Sequence, residues 1–385
     1  MKLKNILLTS SLASTAIIPF LSLSCQDTSK EKELNDKISN LESQLDNKTK
    51  ELEKAKEASK SYLFGLGNAW NSFAPEKIAM TLTEYSLAKH AFNVMSSQES
   101  ISKNNVKVTE DSVVVTKPEK GKYIPVVFMD IDETVVNNYK FNNASFVKKH
   151  NNEPFKERIH SFVLDKKSDI LAGAIEFIKH VWNNGGVVMF NSNREQENGK
   201  EATKQNLIAL GLDEKYMPDF SWWLNGVSLD NKKNKNFKPW TTSTASRTNK
   251  EDRMNYVNDN SLDVNNDNNP IDFRVVMKLG DDINDFNDNF TRSNEASNNY
   301  QLTNDTLFKS QDGPRDLYGN LDLSIKEKFY NNKTNKWESK DWSSSYILIG
   351  GHIAHGSYLK RLFGTYEPTP EQVVELLQKY QWDKK

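Results

Sequence analysis

The sequence contains very little cysteine, with Cys25 as the only one among 385 residues. A single cysteine cannot form a disulfide within the chain, so stability must come from a packed core, which a chain of this length can supply. An excess of charge of one sign is also lacking, because 51 Lys and Arg balance 52 Asp and Glu to a net charge of −1. The chain therefore lacks the global basic field that would indicate a nucleic-acid polymer as its partner.

The amino terminus has the pattern of a secretory signal. Residues Ile6–Ser24 carry no charge and follow the positive start Met1–Lys4. This arrangement predicts a signal peptide over residues 1–24, directly before Cys25. It resembles a bacterial lipoprotein signal, although Ser22 stands where such signals usually carry leucine. The resemblance implies a lipidated Cys25 and a chain held in the cell membrane, facing outward. An uncleaved membrane anchor is the alternative, and it also exports the chain.

A highly charged spacer is predicted over residues 25–62. Its apolar residues recur at steps of four, three, four and seven, which is a heptad pattern interrupted once, by Lys48. A solvated single helix and a short coiled coil both fit this pattern, so a homodimer stays open. The apolar positions are Leu34, Ile38, Leu41, Leu45 and Leu52.

An apolar strand predicted at Val126–Met129 runs directly into Asp130, Asp132 and Thr134. Consecutive apolar residues indicate a strand that is buried on both faces, as in a parallel sheet. The two acids then lie at the carboxyl end of a central strand, where open α/β sheets place their sites. Burying acids there is unfavourable unless a cation or hydrogen bonds compensate. The pattern predicts a nucleophile and an acid/base around a divalent metal, and an acidic turn is the alternative.

Two further predicted strands, Val187–Phe190 and Phe273–Leu279, also end in polar residues. A serine after the first strand could cap the next helix, and a helix amino end also favours phosphate. Between the two strands lies the charged sequence Lys250-Glu-Asp-Arg253. The polar residues at the two strand ends are Ser192, Asn193, Arg194, Asp281 and Asp285.

Together these motifs resemble those of the haloacid dehalogenase (HAD) superfamily, and within it the class C acid phosphatases. Residues 130–134 resemble motif I, the Ser-Asn-Arg after a strand resembles motif II, and Gly-Asp-x-x-x-Asp-Phe at 280–286 resembles motif IV. Lys250 is the candidate for the motif III lysine, with Lys238 as runner-up. The resemblance implies an α/β fold over residues 63–385, a HAD-type Rossmann-like parallel sheet with a helical cap.

The resemblance also implies a Mg²⁺-dependent acid phosphatase that forms an aspartyl-phosphate. Asp130 would attack phosphorus and Asp132 would serve as acid/base. Mg²⁺ would be held by Asp130, the backbone carbonyl of Asp132 and Asp281, with Asp285 ordering its shell. Thr134 and Ser192 would orient the phosphate, and Lys250 would offset charge. Substrate binding would fall to Asn193, Arg194 and Arg253.

The substrate implied by the family is a small phosphomonoester, often a nucleoside 5′-monophosphate. Tyr139 and Phe141 are candidates to stack on a base, with packing as the alternative. Trp222 and Trp223 are predicted to lie in a core strand. A phosphotransferase on the same fold and a non-catalytic surface-binding lipoprotein are the competing functions. A decayed phosphatase would lose Asp130 or Asp281 first, so the presence of both favours an enzyme.

Two other clusters carry weaker signals. Asn258–Pro270 holds several carboxylates but lacks the glycine of a calcium loop, so a surface insertion is predicted there. His352 and His355 are three residues apart, yet no further His or Cys lies close to them in the sequence. Neither cluster is therefore assigned a role.

Overall fold

The computed structural model describes residues 28–147, 153–230, 238–286, 324–331, 336–351, 359, 362–365 and 368–378. The chain divides into two compact units, Met1–Ser59 and Lys60–Lys385. The predicted signal peptide, Cys25, His352 and His355 lie outside the described residues, so what was said of them stays a prediction. Within the described ranges, no helix is both long enough and apolar enough to cross a membrane.

The larger unit is built around a five-stranded sheet with the order β6-β3-β7-β9-β8. Strands β6, β3, β7 and β9 are parallel, whereas β8 pairs antiparallel with β9. Two short antiparallel ribbons, β1 with β2 and β4 with β5, complete the described strands. The bounds are β1 Val106–Val108, β2 Val113–Val115, β3 Ile124–Met129, β4 Val136–Asn137, β5 Asp169–Ile170, β6 Val187–Phe190, β7 Phe273–Gly280, β8 Ile325–Asn331 and β9 Lys336–Leu348.

Helices precede the sheet and connect its strands. Helix α2 packs on α5 and on strands β7 and β9, while α7 packs on β7. The predicted α/β fold with a mostly parallel sheet is thus confirmed. The helix bounds are α1 Thr28–Phe73, α2 Pro75–Met95, α3 Tyr139–Val147, α4 Phe155–Leu164, α5 Ala174–Asn183, α6 Gly199–Ala209, α7 Lys250–Asp259 and α8 Pro370–Gln378.

The central strands are apolar because both of their faces are covered. All residues of β3, β6 and β7 are buried, as expected of parallel strands between layers of helices. From β3 the chain passes to β6 on one side and later to β7 on the other. The carboxyl end of β3 is therefore the point where the strand order reverses, which is where α/β sheets bind ligands.

A small aromatic cluster packs the helices that follow motif I. The Phe141 ring of α3 lies 5.6 Å from the rings of Phe155 and Phe162 in α4, and the Arg158 guanidinium lies 5.7 Å from its centre. Phe141 is buried. The packing alternative is therefore the one that the structure favours for Phe141, whereas Tyr139 is half-buried.

Local structure departs from the sequence prediction at Trp222 and Trp223. The predicted strand around Trp222 and Trp223 is instead the 3₁₀ turn Asp219–Ser221 followed by an extended segment. Both indoles are buried as expected, and the Trp223 Nε1 donates to the Phe220 carbonyl at 2.9 Å. Helix α5 begins at Ala174, shortly after β5 pairs with β4.

Candidate active site

Asp130 is the first residue after β3, and a backbone hydrogen bond holds it in place. Its backbone N–H donates to the Leu279 carbonyl of β7 at 2.9 Å, which continues the parallel ladder. Its carboxylate is buried and accepts from the Lys250 Nζ at 2.5 Å. Burial raises the pKa of Asp130 to about 7, although Lys250 opposes the shift. A buried carboxylate with an adjacent ammonium group is suited to act as a nucleophile once its charge is stabilised.

Three acids converge beside this strand end. Asp130, Asp281 and Asp285 each offer a carboxylate oxygen within 4.8 Å of the others. Burial, together with the charges of Asp285 and Asp130, raises the pKa of Asp281 well above its usual range. Such crowding of acids is unfavourable without a cation, and oxygen-only donors suit Mg²⁺. These residues therefore fit a divalent metal.

Glycines allow the acids to crowd together. A Cβ added at Gly280 would lie 2.0 Å from the Asp285 Oδ2, and one added at Gly351 would lie 2.7 Å from the Asp281 Oδ2. The Asp285 side chain also accepts from the Asp282 backbone N–H in a capping box. The absence of side chains at both glycines is thus what lets motif IV close against the carboxyl end of β9.

Lys250, and not Lys238, reaches the acids. Its Nζ donates to Asp130 at 2.5 Å and to Asp285 at 2.7 Å from the first turn of α7. Burial alone would lower the pKa of Lys250, but Asp130 and Asp285 together raise it above its ordinary value. Lys238 instead lies 3.1 Å from Asp263. Lys250 therefore remains protonated and partly neutralises the cluster.

Asp132 points to a different set of partners. The Arg194 guanidinium donates to its carboxylate at 2.7 and 3.1 Å, the Asn138 Nδ2 at 2.6 Å and the Ser192 Oγ at 3.3 Å. Burial would raise the pKa of Asp132, but Arg194 and Asn138 outweigh it and lower the pKa. About a third of the Asp132 side chain stays exposed. It is thus held in place but open to a substrate.

The loop after β6 is anchored from below by Arg253. Its guanidinium donates to the Asn191 Oδ1 and the Ser192 carbonyl, both at 2.8 Å, and to the Trp223 carbonyl at 2.6 Å. The residue has 0% exposure. This placement corrects the predicted substrate contact, because a side chain without exposed surface cannot touch a substrate. Arg253 instead positions the residues that carry Ser192.

The other two predicted substrate-binding residues are placed differently from each other. Arg194 is buried, and its guanidinium donates to the Asp132 carboxylate and to the Thr203 Oγ1. Asn193 is exposed, and its Oδ1 accepts from the Arg247 guanidinium at 3.4 Å. Asn193 can therefore meet a substrate directly, whereas the contacts of Arg194 orient Asp132.

Thr134 lies beneath the loop that carries the acids. Its side-chain hydroxyl is buried without a hydrogen-bond partner in the described structure, and its backbone carbonyl accepts from the Tyr85 hydroxyl at 2.6 Å. A buried hydroxyl without a partner is unfavourable in the free protein. The Thr134 side chain has 0% exposure, as Arg253 does, so the phosphate-orienting role expected of it stays a prediction.

Several residues of the site were not predicted from the sequence. Glu133 has a φ of 56° and is buried at 3% exposure; this backbone region costs a residue other than glycine about 1–2 kcal/mol. Lys77 of α2 donates to the Gly350 carbonyl, and the neighbouring Glu84 accepts from the Gly350 N–H at 2.8 Å. Glu133 is marked in the sequence only as an acid directly after Asp132. Nothing in the sequence marks Lys77, because its partner Gly350 lies far along the chain.

Comparisons with known proteins identify a family for this chain and a solved structure with a similar fold. Residues 68–311 match the family model described as HAD superfamily, subfamily IIIB (acid phosphatase). The fold is similar to the class C acid phosphatase from Bacillus anthracis, with 16% identity, a TM-score of 0.50 and coverage of 85% of this chain and 99% of that one. The tungstate-bound structure of that enzyme matches with the same identity and TM-score, over 84% of this chain and 99% of that one. Comparison with curated proteins gave no match.

Proposed function

We propose that this chain, which belongs to the acid phosphatases of HAD subfamily IIIB and is therefore a phosphomonoesterase, transfers phosphate from small esters to Asp130 and then to water. The observation that carries this proposal is the convergence of Asp130, Lys250, Asp281 and Asp285 at the strand end where the sheet order reverses. Phosphoryl transfer depends mainly on alignment and on stabilising charge, and this cluster supplies both.

Asp130 is the proposed nucleophile. Lys250 contacts one of its oxygens, and the β3–β7 ladder fixes its backbone. In the first half-reaction a carboxylate oxygen forms a bond to phosphorus as the bond to the ester oxygen breaks. Water then attacks phosphorus and releases Asp130 with inorganic phosphate. Lys250 stays charged throughout and offsets the negative charge of Asp130 and of the phosphate.

Asp132 is the proposed acid and base. Its contacts with Arg194 and Asn138 hold the carboxylate in one orientation, and its exposed part faces solvent. A bound phosphate brings negative charge beside Asp132, which favours the protonated form. That form gives its proton to the leaving oxygen, and the resulting carboxylate takes a proton from the attacking water.

Asp130, Asp281, Asp285 and the backbone carbonyl of Asp132 are the proposed holders of Mg²⁺. When bound, this ion would neutralise phosphoryl oxygens and favour the ionised Asp130. The donor set supports the assignment, since it consists of crowded oxygens with raised carboxyl pKa values. In the proposed arrangement Asp285 serves mainly to order the shell, because Lys250 already occupies one of its oxygens.

The experiment that tests the proposed function is a panel of phosphate esters assayed with Mg²⁺ and with a chelator. We expect turnover of p-nitrophenyl phosphate and of nucleoside 5′-monophosphates with Mg²⁺, and little turnover in its absence. No phosphate release from any ester in the presence of Mg²⁺ would reject the function. Full activity in the chelator would reject the metal assignment alone.

Nucleoside 5′-monophosphates are the proposed substrates. A charged nucleotide crosses a membrane poorly, whereas a nucleoside is easier to import, so removing the phosphate outside the cell would serve salvage. Tyr139, half-buried after motif I, is the remaining candidate to stack on a base. Good activity on sugar phosphates with none on nucleotides would remove this proposal. Adding an alcohol and measuring its phosphorylation would distinguish a phosphotransferase from a hydrolase.

Anchoring through Cys25 is the proposed localisation, on the extracellular face of the cell membrane. The charged start and uncharged stretch before this cysteine support it. Stable anchoring needs two lipid chains, since one gives only marginal binding. Labelled palmitate should enter the wild-type protein but not a Cys25→Ser variant. Equal labelling of both would reject lipidation at this residue.

A second copy of the chain is the proposed partner of α1. Its heptad residues Leu34, Ile38, Leu41, Leu45 and Leu52 are all exposed. In the heptad register that places Ile38, Leu45 and Leu52 at a, Leu34 and Leu41 lie at d and Lys48 interrupts the d series. Isoleucine at a with leucine at d, as at Ile38 and Leu41, favours two parallel strands. In that register Lys37 of one copy lies opposite Glu42 of the other, which adds charge complementarity.

Cysteine crosslinking tests this dimer. In a Cys25→Ser background, Leu41→Cys should form an intermolecular disulfide readily. Ser43→Cys is the matched control, because two residues further along α1 the side chain points away from the seam. Equal crosslinking of the two variants, or none, would reject the parallel dimer.

A further inference from the structure

Glu133 is a buried carboxylate that the proposed reaction does not use. It lies between Asp132, the proposed acid and base, and Thr134, and its backbone has a φ of 56°. Non-glycine residues persist in this region only when their surroundings hold them there, and such residues cluster at functional sites. The contacts of the Glu133 side chain therefore need an explanation.

Those contacts join three segments of the chain. The Glu133 Oε1 accepts from the Asn138 backbone N–H at 3.1 Å and from the Asn142 Nδ2 at 3.4 Å. Its Oε2 accepts from the Asn71 Nδ2 at 3.3 Å. Asn71 lies near the end of α1 and Asn142 lies in α3. The carboxylate thus ties its own loop to two helices that precede and follow it.

Asn138 links Glu133 to the chemistry. Its Nδ2 donates to the Asp132 Oδ1 at 2.6 Å, and its Oδ1 accepts from the Ser168 Oγ at 2.7 Å. Glu133 therefore fixes the backbone of Asn138 while Ser168 fixes the rotation of its amide. With the Oδ1 held by Ser168, the Nδ2 of that amide is directed at the carboxylate of Asp132.

We propose that Glu133 is a positioning residue that acts through Asn138 to hold Asp132 in the orientation needed for proton transfer. The proposal rests on the acid/base function proposed for Asp132. Glu133 is not one of the three acids that crowd at the metal cluster of the described structure. Its carboxylate is occupied by amide donors, so it serves geometry rather than reaction with the substrate.

Glu133→Gln tests the proposal with two esters that differ in leaving group. The glutamine has nearly the same shape, but both carboxylate oxygens of Glu133 accept hydrogen bonds. Either orientation of the glutamine amide therefore turns its NH₂ against a donor, Asn71 or Asn138, which weakens the hold on Asn138. A nitrophenolate leaves without a proton, whereas a ribose alkoxide needs one. We expect kcat/KM, which reports the transfer to Asp130, to fall about tenfold on a ribose 5′-phosphate and less than about threefold on p-nitrophenyl phosphate. Equal losses on both esters, or no loss, would overturn the proposal.

The Asp132→Asn background separates this proposal from the function on which it rests. If Glu133 acts through Asp132, adding Glu133→Gln to Asp132→Asn should cause no further ester-selective loss. A further selective loss would overturn the route through Asp132. If Asp132→Asn alone is not ester-selective, the acid/base assignment fails and the positioning proposal fails with it.

Glu133→Gly provides the backbone control, because glycine accepts a positive φ without strain. It removes every side-chain contact, so its ester selectivity should match or exceed that of Glu133→Gln. Lys166→Gly is the matched surface variant, since Lys166 also has a φ of 56° and is exposed; it should leave kcat unchanged on both esters. Loss of selectivity in Glu133→Gly, with the melting temperature retained, would overturn the proposal.

Discussion

Two buried clusters of lysine and acid lie along β7, and they differ in charge balance. In the first, Lys250 faces Asp130 and Asp285, with Asp281 close to both. In the second, Lys278 pairs with Glu327 at 2.5 Å. The first cluster therefore has three carboxyl groups for one ammonium group, whereas the second has one of each.

The second cluster is satisfied within the protein. The Lys278 Nζ also reaches the Tyr346 hydroxyl at 3.2 Å, while Ser344 and Tyr346 donate to the second oxygen of Glu327. A buried pair with every group bonded can be tolerated in a core. Excess negative charge, rather than burial or a short contact, therefore distinguishes the cluster that could hold a metal ion.

The largest contrast between the clusters should appear in catalysis. Asp130→Asn keeps the shape of the side chain but removes the nucleophile, so kcat should fall roughly 10⁴-fold or more. Glu327→Gln alters a carboxylate of similar burial and should keep kcat within about threefold in the folded protein, because it lies outside the proposed site. Initial rates on p-nitrophenyl phosphate measure both. Comparable losses in the two variants would break the distinction.

In stability, unlike in catalysis, substitution in the second cluster should have the larger effect. Lys278→Met leaves Glu327 buried and unpaired, which typically costs 3–5 kcal/mol of unfolding free energy. Replacing both, as Lys278→Met with Glu327→Leu, should recover most of the loss, because no buried charge remains. Urea unfolding followed by tryptophan fluorescence measures the three proteins. A Lys278→Met variant as stable as wild type would show that this pair is not a structural element.

The pH dependence of stability should sharpen the contrast. Burial raises the pKa of Asp130 to about 7 in the folded protein, above an unfolded value of about 3.9. The folded state therefore binds more protons in this window, and stability should fall as pH rises from about 4 to about 7. Asp281 shifts in the same direction. Melting temperatures of the metal-free protein should fall across this range, and less steeply in Asp281→Asn. The lowered pKa of Asp132 contributes the opposite slope in both proteins, so the test is the difference between them. Equal slopes for wild type and Asp281→Asn would contradict the raised pKa of Asp281.

Much of the fold was predictable from residue order because the chemistry follows each strand directly. The apolar run before Asp130, the one before Ser192 and the one before Asp281 each predicted a buried strand with a polar end. Parallel strands bring such ends to one edge, so the three motifs had to meet. The observed sheet confirms that arrangement.

Contacts made across the fold could not be predicted in the same way. Arg253 has the spacing expected of motif III, yet its burial beneath the β6 loop appears only in three dimensions. Asn71 and Lys77 lie on helices whose sequences also suit ordinary packing. Their partners, Glu133 and Gly350, are separated from them by long stretches of chain. Burial and distant pairing, rather than residue type, determine these roles.

A calorimetric titration with Mg²⁺ tests the central claim most directly, that excess acid beside Lys250 makes a metal site. Wild-type protein should bind one Mg²⁺ per chain, Asp281→Asn should lose most of that binding, and Glu327→Gln should retain it. The physical reason is that only the first cluster offers crowded, incompletely neutralised oxygens. Equal binding by wild type and Asp281→Asn, or no binding by wild type, would contradict the account.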